Sequence, residues 1–109
     1  MFFISVDDFF DKVSEISPLT KEEKTALGLQ KDAGDQVARE KLLQGCFPTV
    51  ASFVKRAPKE MQTLNTVYEC ISALEKTIDS FDFSQGSDRF AHRLCTRLRQ
   101  CITKCIANR

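Results

Sequence analysis

The sequence predicts an all-α fold, a single-domain helical bundle, on three observations. Apolar residues recur at three- and four-residue steps along the chain, and no stretch alternates as a half-buried strand would. Capping residues and Pro or Gly breaks cut these runs into pieces of helical length. A chain of 109 residues, 42% hydrophobic and 28% charged, holds enough apolar surface for one modest core without metals or disulfides.

The first segment is residues 6–16. Ser5 with Asp8 three positions on resembles a capping box with a shorter acid, and Asp7 and Asp8 suit a helix N-terminus. Val6, Phe9, Phe10, Val13 and Ile16 form its apolar face, and Ser17-Pro18 ends it. Residues 1–18 are thus expected to be an N-terminal packing helix, set apart from a main helical domain over 19–109. Thr20 and Glu23 form a full capping box for a helix carrying Ala26, Leu27 and Leu29, with Gly28 weakening its interior. Ala33-Gly34 stops it, and Asp35 caps the next. Residues 36–56 bear a broad apolar face of Val37, Leu42, Leu43, Cys46, Phe47, Val50, Phe53 and Val54; Pro48 kinks or breaks this helix near Gly45. Ala57-Pro58-Lys59 is a break. Asn65 is the expected N-cap of a helix to Ser80, with Thr63-Leu64 as a slightly earlier start. Val67, Cys70, Ile71, Leu74, Ile78 and Phe81 lie on one side of it. After a polar break at Ser84-Gln85-Gly86, residues 89–107 form a last helix whose stripe is Leu94, Leu98, Cys101, Ile102, Cys105 and Ile106. About five helices result, with 65–80 and 89–107 packed against 36–56.

The near-neutral total of +1 hides an uneven distribution. From residue 89 to the end there are 6 basic residues and no acidic one, whereas the 88 residues before them hold 10 basic and 15 acidic. Arg89, Arg93, Arg97 and Lys104 share one face of the last helix, because steps of four advance little around it. A basic face on an acidic body points to a polyanion partner, the alternative being a solvated Arg-rich face. Five cysteines, at 46, 70, 95, 101 and 105, are an odd number without a paired C-x-x-C, which argues against a disulfide framework. Cys70, Cys101 and Cys105 fall on apolar faces, where a reduced thiol acts as a small hydrophobe. His92, Cys95 and Cys101 or Cys105 do not have zinc-module spacing and lack a fourth ligand, so neither metal nor cofactor is expected. The start MFFISVDDFF has no basic n-region or cleavage site, and no stretch approaches membrane-spanning length. The expected setting is cytoplasmic and reducing, without membrane contact. One His, no glycine-rich phosphate loop and no H-E-x-x-H leave only His92 beside Cys95 as a reactive pair, and no enzyme is expected.

The order of residues carries more. The run D-S-F-D-x3-G, then Phe90, then L-R-Q-C-I-T-K-C-I-A-N resembles region 2 of the bacterial sigma-70 family of RNA polymerase factors. The family pattern is F-D-x-x-x-G, an aromatic-rich segment, then I-R-Q-A-I-x-R-A-I-A-N. Phe81, Asp82, Gly86, Phe90, Arg99, Gln100, Ile102, Ile106, Ala107 and Asn108 stand as that family has them. Leu98, Cys101, Lys104 and Cys105 are conservative or small replacements, and one extra residue between Gly86 and Phe90 keeps register. Upstream, Ala38, Arg39, Glu40, Leu42, Val50, Lys55 and Arg56 match the family's opening helix A-R-E-x-L-I-x-x-N-L-x-L-V-x-x-I-A-K-R without a gap.

The resemblance spans residues 19–109 and implies a bundle of the sigma region 2 type, with RNA polymerase core and double-stranded promoter DNA as partners. In the family a helix reading D-L-I-Q-E-G-N-I-G-L-x-K-A-V grips a coiled coil of the polymerase's largest subunit. Here Asn65 replaces the Asp, Tyr68 the Gln and Ile71 the Asn, while Glu69 and Lys76 remain, so Asn65, Tyr68 and Glu69 are the implied polymerase-binding residues. The family's F-S-T-Y-A-T-W-W-I stacks its aromatics on bases flipped from promoter DNA, at about 1–3 kcal/mol per base. Arg93 takes the place of the Tyr, Thr96 and Arg97 take those of the Trp pair, and the chain has no Trp, which removes most of that platform. Gln100 and Thr103 are kept, at positions that read the upstream edge of the minus-ten element as duplex; a Gln amide suits adenine in the major groove. Arg89, Arg93, Arg97 and Lys104 would supply phosphate contacts. The chain lacks the helix-turn-helix domain that family members use upstream, so it reads as one half of a split sigma factor whose partner protein supplies it. The other reading is a protein-interaction or regulatory module that keeps the fold and has lost promoter melting.

Overall fold

Side-chain caps set the start of four helices. The computed structural model describes residues 2–108, which form six α-helices joined by short connections, with no strand among the described residues. The all-α expectation holds. Helix α1 is Val6–Ser14. The Asp8 N–H donates to Ser5 Oγ at 3.1 Å, while the Asp8 carboxylate accepts from the Ile4 N–H at 2.9 Å, one residue earlier than a true box would have it. Ile16 lies beyond the end of this helix but still packs against the core. Helix α2, Lys21–Asp32, has both halves of its box, at 3.0 and 3.1 Å.

Helices α3, Gln36–Gly45, and α4, Phe47–Arg56, are separated by Cys46 alone. The break falls where Pro48 requires it: proline has no N–H for the Gln44 carbonyl and sits at the second position of a new helix. Helix α5, Leu64–Ser80, is capped by the Thr63 hydroxyl and not by Asn65, so the earlier of the two starts is the real one. Helix α6, Ser87–Ala107, starts two residues ahead of the expected 89, directly after Gly86 at φ 95°. That left-handed backbone is open to glycine and strained for other residues.

Two side chains assigned to apolar faces point outward. Val37 is 64% exposed and Leu29 46%, because the neighbours Ala38 and Gly28 take the inward positions of their turns. The core is built on α5, where Val67, Cys70, Leu74 and Ile78 are inaccessible to solvent. Helix α6 runs back along α5, α3 and α4 cover α5, and α4 also meets α6. Residues 65–80 and 89–107 therefore pack against 36–56 as expected. Helix α2 pairs with α3, and α1 packs on α4, sending Phe9 and Val13 into the core that Phe3, ahead of α1, also enters.

The turn from α5 into α6 is clamped by α2. Phe83 is 1% exposed and lies where a Cβ on Gly28 would be, 2.1 Å from its ring. Its N–H donates to Asp32 Oδ2 at 2.8 Å, and Lys31 Nζ donates to the Phe81 carbonyl at 3.2 Å and covers the Phe83 ring at 5.2 Å. Phe81, Phe83 and Phe90 meet with centroids 4.8–5.5 Å apart. Such ring pairs contribute about 0.5–1.5 kcal/mol beyond burial. Gly28→Ala should displace the Phe83 ring and cost about 1–3 kcal/mol in chemical denaturation, in the manner of overpacked cores. An unchanged midpoint would show that the seat is loose.

A second clamp joins α3 to α5. Arg39 holds Asp79 through two parallel bonds of 2.7 and 2.9 Å and reaches Glu75 at 3.5 Å. The Arg39 hydrogen bond holds the Asp79 carboxyl below its ordinary range, while partial burial opposes this. A carboxylate with a depressed folded pKa stabilises above its unfolded value and loses that contribution as pH falls through the folded one. Asp79 is half exposed, so screening limits the pair to about 0.5–1 kcal/mol. Asp79→Asn should be less stable than wild type by that amount at pH 7 and equal to it near pH 2; denaturant titrations at both values measure this.

Candidate nucleic-acid interface

The basic residues of α6 stand on a helix whose inward stripe is set by Phe90, Leu94, Leu98 and Ile102, all buried. With that stripe seated on α5 and α4, Arg89, Arg93, Arg97 and Gln100 must face outward, and all four are exposed. Together with His92 and Thr96 they line one open groove floored by Phe81. The Arg93 guanidinium lies 5.9 Å from the Phe81 ring centroid, which holds this cation over an aromatic face. The acid at the start of α6, Asp88, is paired with Lys21 at 3.0 Å.

The remaining two candidates flank this groove. Thr103 lies beside Arg99 and the C-terminal end of α4, where Arg56 stacks on Phe53 at 4.8 Å. Lys104 shares the helix angle of Arg97 but sits seven residues further on, where α6 passes the start of α5. There it lines a cleft with Asn65 and Glu69. The structure thus brings Arg89, Arg93, Arg97 and Gln100 together, and puts Lys104 with two of the three polymerase-binding candidates.

His92 and Thr96 join this groove without being among the expected DNA-binding residues, although their spacing from Arg89, Arg93 and Gln100 is signal enough. The neighbourhood of Arg56 and Arg99 was not readable, since these residues come from different helices.

Asn65, Tyr68 and Glu69 are all exposed on α5. Tyr68 is partly engaged within the chain: its hydroxyl accepts the Phe3 N–H at 3.0 Å and donates to the Phe3 carbonyl at 3.4 Å.

All five cysteines are free thiols. Among the described residues no group of His, Cys, Asp and Glu is arranged to hold a metal ion. Where α5 meets α6, the thiols of Cys70, Cys101 and Cys105 lie near enough to influence one another's protonation. Donation from Cys70 and from Cys105, with the charge of Lys104, draws Cys101 down to about 7 against the opposing effect of burial. Cys70, the donor to that sulfur and itself buried, is pushed up. Burial also raises Cys105, and raises Cys46 to about 11.

Comparison with known proteins adds a direction to this geometry. No protein-family model matches the chain. It is 30% identical over 101 residues to the RNA polymerase sigma factor SigA of Listeria monocytogenes, and equally to that of Listeria innocua. The alignment takes in 92% of this chain and 27% of each relative. The relationship is sigma-factor-like. This sigma-like chain spans about a quarter of the length of the relatives it matches. No helix among its described residues is long and apolar enough to cross a membrane.

Proposed function

We propose that the chain is a sigma-factor-like transcription protein that binds RNA polymerase core and the minus-ten region of double-stranded promoter DNA. The observation that carries this reading is the SigA similarity over 92% of the chain. In the proposed arrangement Asn65, Tyr68 and Glu69 on α5 meet the coiled coil of the polymerase's largest subunit. Arg89, Arg93, Arg97 and Lys104 contact phosphates, while Gln100 and Thr103 read base edges. The exposure of all nine side chains supports this assignment. Phosphate contacts position a protein on DNA and bring salt dependence, whereas base contacts specify sequence. A second protein supplying the upstream DNA-binding domain would complete a split sigma factor.

A second reading is favoured by one specific observation. Arg93, Thr96 and Arg97 occupy the places of the family's base-stacking aromatics, and the chain has no Trp. On this reading the fold serves as a protein-interaction or regulatory module without promoter melting.

Two measurements separate these. Co-purification with core polymerase should succeed and be lost on Glu69→Ala; failure of the wild-type protein to bind core removes the sigma-type reading. In titrations of labelled duplexes at two salt concentrations, Arg97→Ala should weaken binding to all sequences alike and lower the salt slope by about one unit. Gln100→Ala should cost about 1–3 kcal/mol on the preferred sequence alone. A pure interaction module shows neither effect.

A further inference from the structure

Cysteine stands at positions 101 and 105 of α6, where the resembled pattern has alanine, and a third thiol, Cys70, is buried on α5. Cys70 is inaccessible to solvent, while Cys101 and Cys105 are half-buried along the cleft that also holds Glu69 and Lys104. A small polar oxidant entering this cleft meets Cys101 and Cys105, whereas Cys70 has no accessible surface. We propose that Cys101 and Cys70 form a hydroperoxide-responsive dithiol, in which Cys101 is the attacking sulfur and Cys70 the resolving one.

The chemistry balances with a hydroperoxide as the named oxidant. The Cys101 thiolate attacks the terminal peroxide oxygen, the O–O bond breaks, and an S–O bond forms. Sulfur loses two electrons, and the leaving alkoxide or hydroxide takes a proton to give an alcohol or water. The Cys70 thiol then attacks the sulfur of the Cys101 sulfenic acid, forming the S–S bond and expelling a second water. Two thiols and one hydroperoxide thus give one disulfide, one water and one reduced peroxide product.

Three features assign these roles. Cys101 lines the cleft while Cys70 has no accessible surface, and the neighbouring thiols and the Lys104 charge favour the Cys101 thiolate, which is the nucleophilic form. The other charges facing this sulfur are those of Glu69, on α5, and of Glu60, which lines the same cleft. Cys70 is fully buried on α5, one turn on from Thr66 and next to Glu69, both of which line the same cleft as Cys101. Cys105 is the poorer resolving group, because Cβ atoms four residues apart on a helix are about 5–6 Å apart. A disulfide takes about 3.5–4.5 Å. Cys95, also half-buried, is an internal reference that lacks the thiol partners of Cys101, and Cys46 is enclosed by the core.

The test is stoichiometric hydrogen peroxide on the reduced protein at neutral pH, followed by alkylation and peptide mapping by mass spectrometry. Cys101 should be consumed roughly tenfold faster than Cys95, since neighbouring groups favour its thiolate. A cross-linked Cys70–Cys101 peptide pair should appear, and a dithiol reductant should reverse it. Cys70→Ser should instead leave a sulfenic acid on Cys101 that a cyclic 1,3-diketone traps, and Cys101→Ser should abolish both products while Cys95 reacts as before. Equal rates at Cys95 and Cys101 overturn the proposal, as does a bridge that forms only between molecules or only to Cys105. Near-ultraviolet and far-ultraviolet circular dichroism of each variant shows whether the fold is retained. If Cys70→Ser unfolds, Cys70→Ala serves in its place with the same expected trapping.

Discussion

The placement of the Phe83 ring against Gly28 is the contact on which the functional geometry depends. α5 and α6 are long helices joined by a tight turn, and a turn by itself does not set the rotation of the helix that follows. Phe83 settles that rotation by entering a space on α2 that no side chain occupies, with Asp32 and Lys31 holding the backbone on either side. Phe90, one turn into α6, then joins the same aromatic group, so the inward face of α6 is determined at its start. Everything on the outward face follows from helical geometry. The exposed row of Arg89, Arg93, Arg97 and Gln100 is therefore a consequence of a buried contact with a helix more than fifty residues earlier in the chain.

The same packing organises charge. α6 carries its cations without interspersed acid after Asp88, and Asp88 is paired with Lys21. The acidic body keeps part of its negative charge occupied as well, since Arg39 engages Asp79 and Glu75 on the outside of α5. A face of uncompensated cations beside an acidic body attracts polyanions at long range and orients them toward one side. Lys104 departs from this row by lying beside Glu69, which puts the far end of the basic helix next to the candidate protein-binding surface of α5.

The junction of α5 and α6 also shows how packing alters chemistry. Cysteines occupy positions 101 and 105 of α6, partly buried along a cleft against α5. Brought against Cys70 in a partly dry setting, they share protons, and one sulfur becomes a better anion at the expense of its neighbours. Cys46 is more deeply buried, and there burial moves the thiol the other way, against the opposing charge of Lys24.

By itself the sequence determined the helical content, the order of segments and most of their ends. Thr20 with Glu23, Asp35, Pro48 and Gly86 act through local backbone chemistry that needs no distant partner. It also determined which residues share the outward face of α6, because helical spacing is a property of one segment. Competing signals of similar strength were decided elsewhere: Thr63 caps α5 in preference to Asn65. Val37 and Leu29 face solvent because a smaller neighbour in the same turn fits the space available. Only the tertiary structure decided that Gly28 is a seat and not a weak point, that Tyr68 is engaged by Phe3, and that Lys104 sits with Glu69. Each of these joins residues far apart in the chain, and the periodicity of a single helix contains no information about what lies across from it.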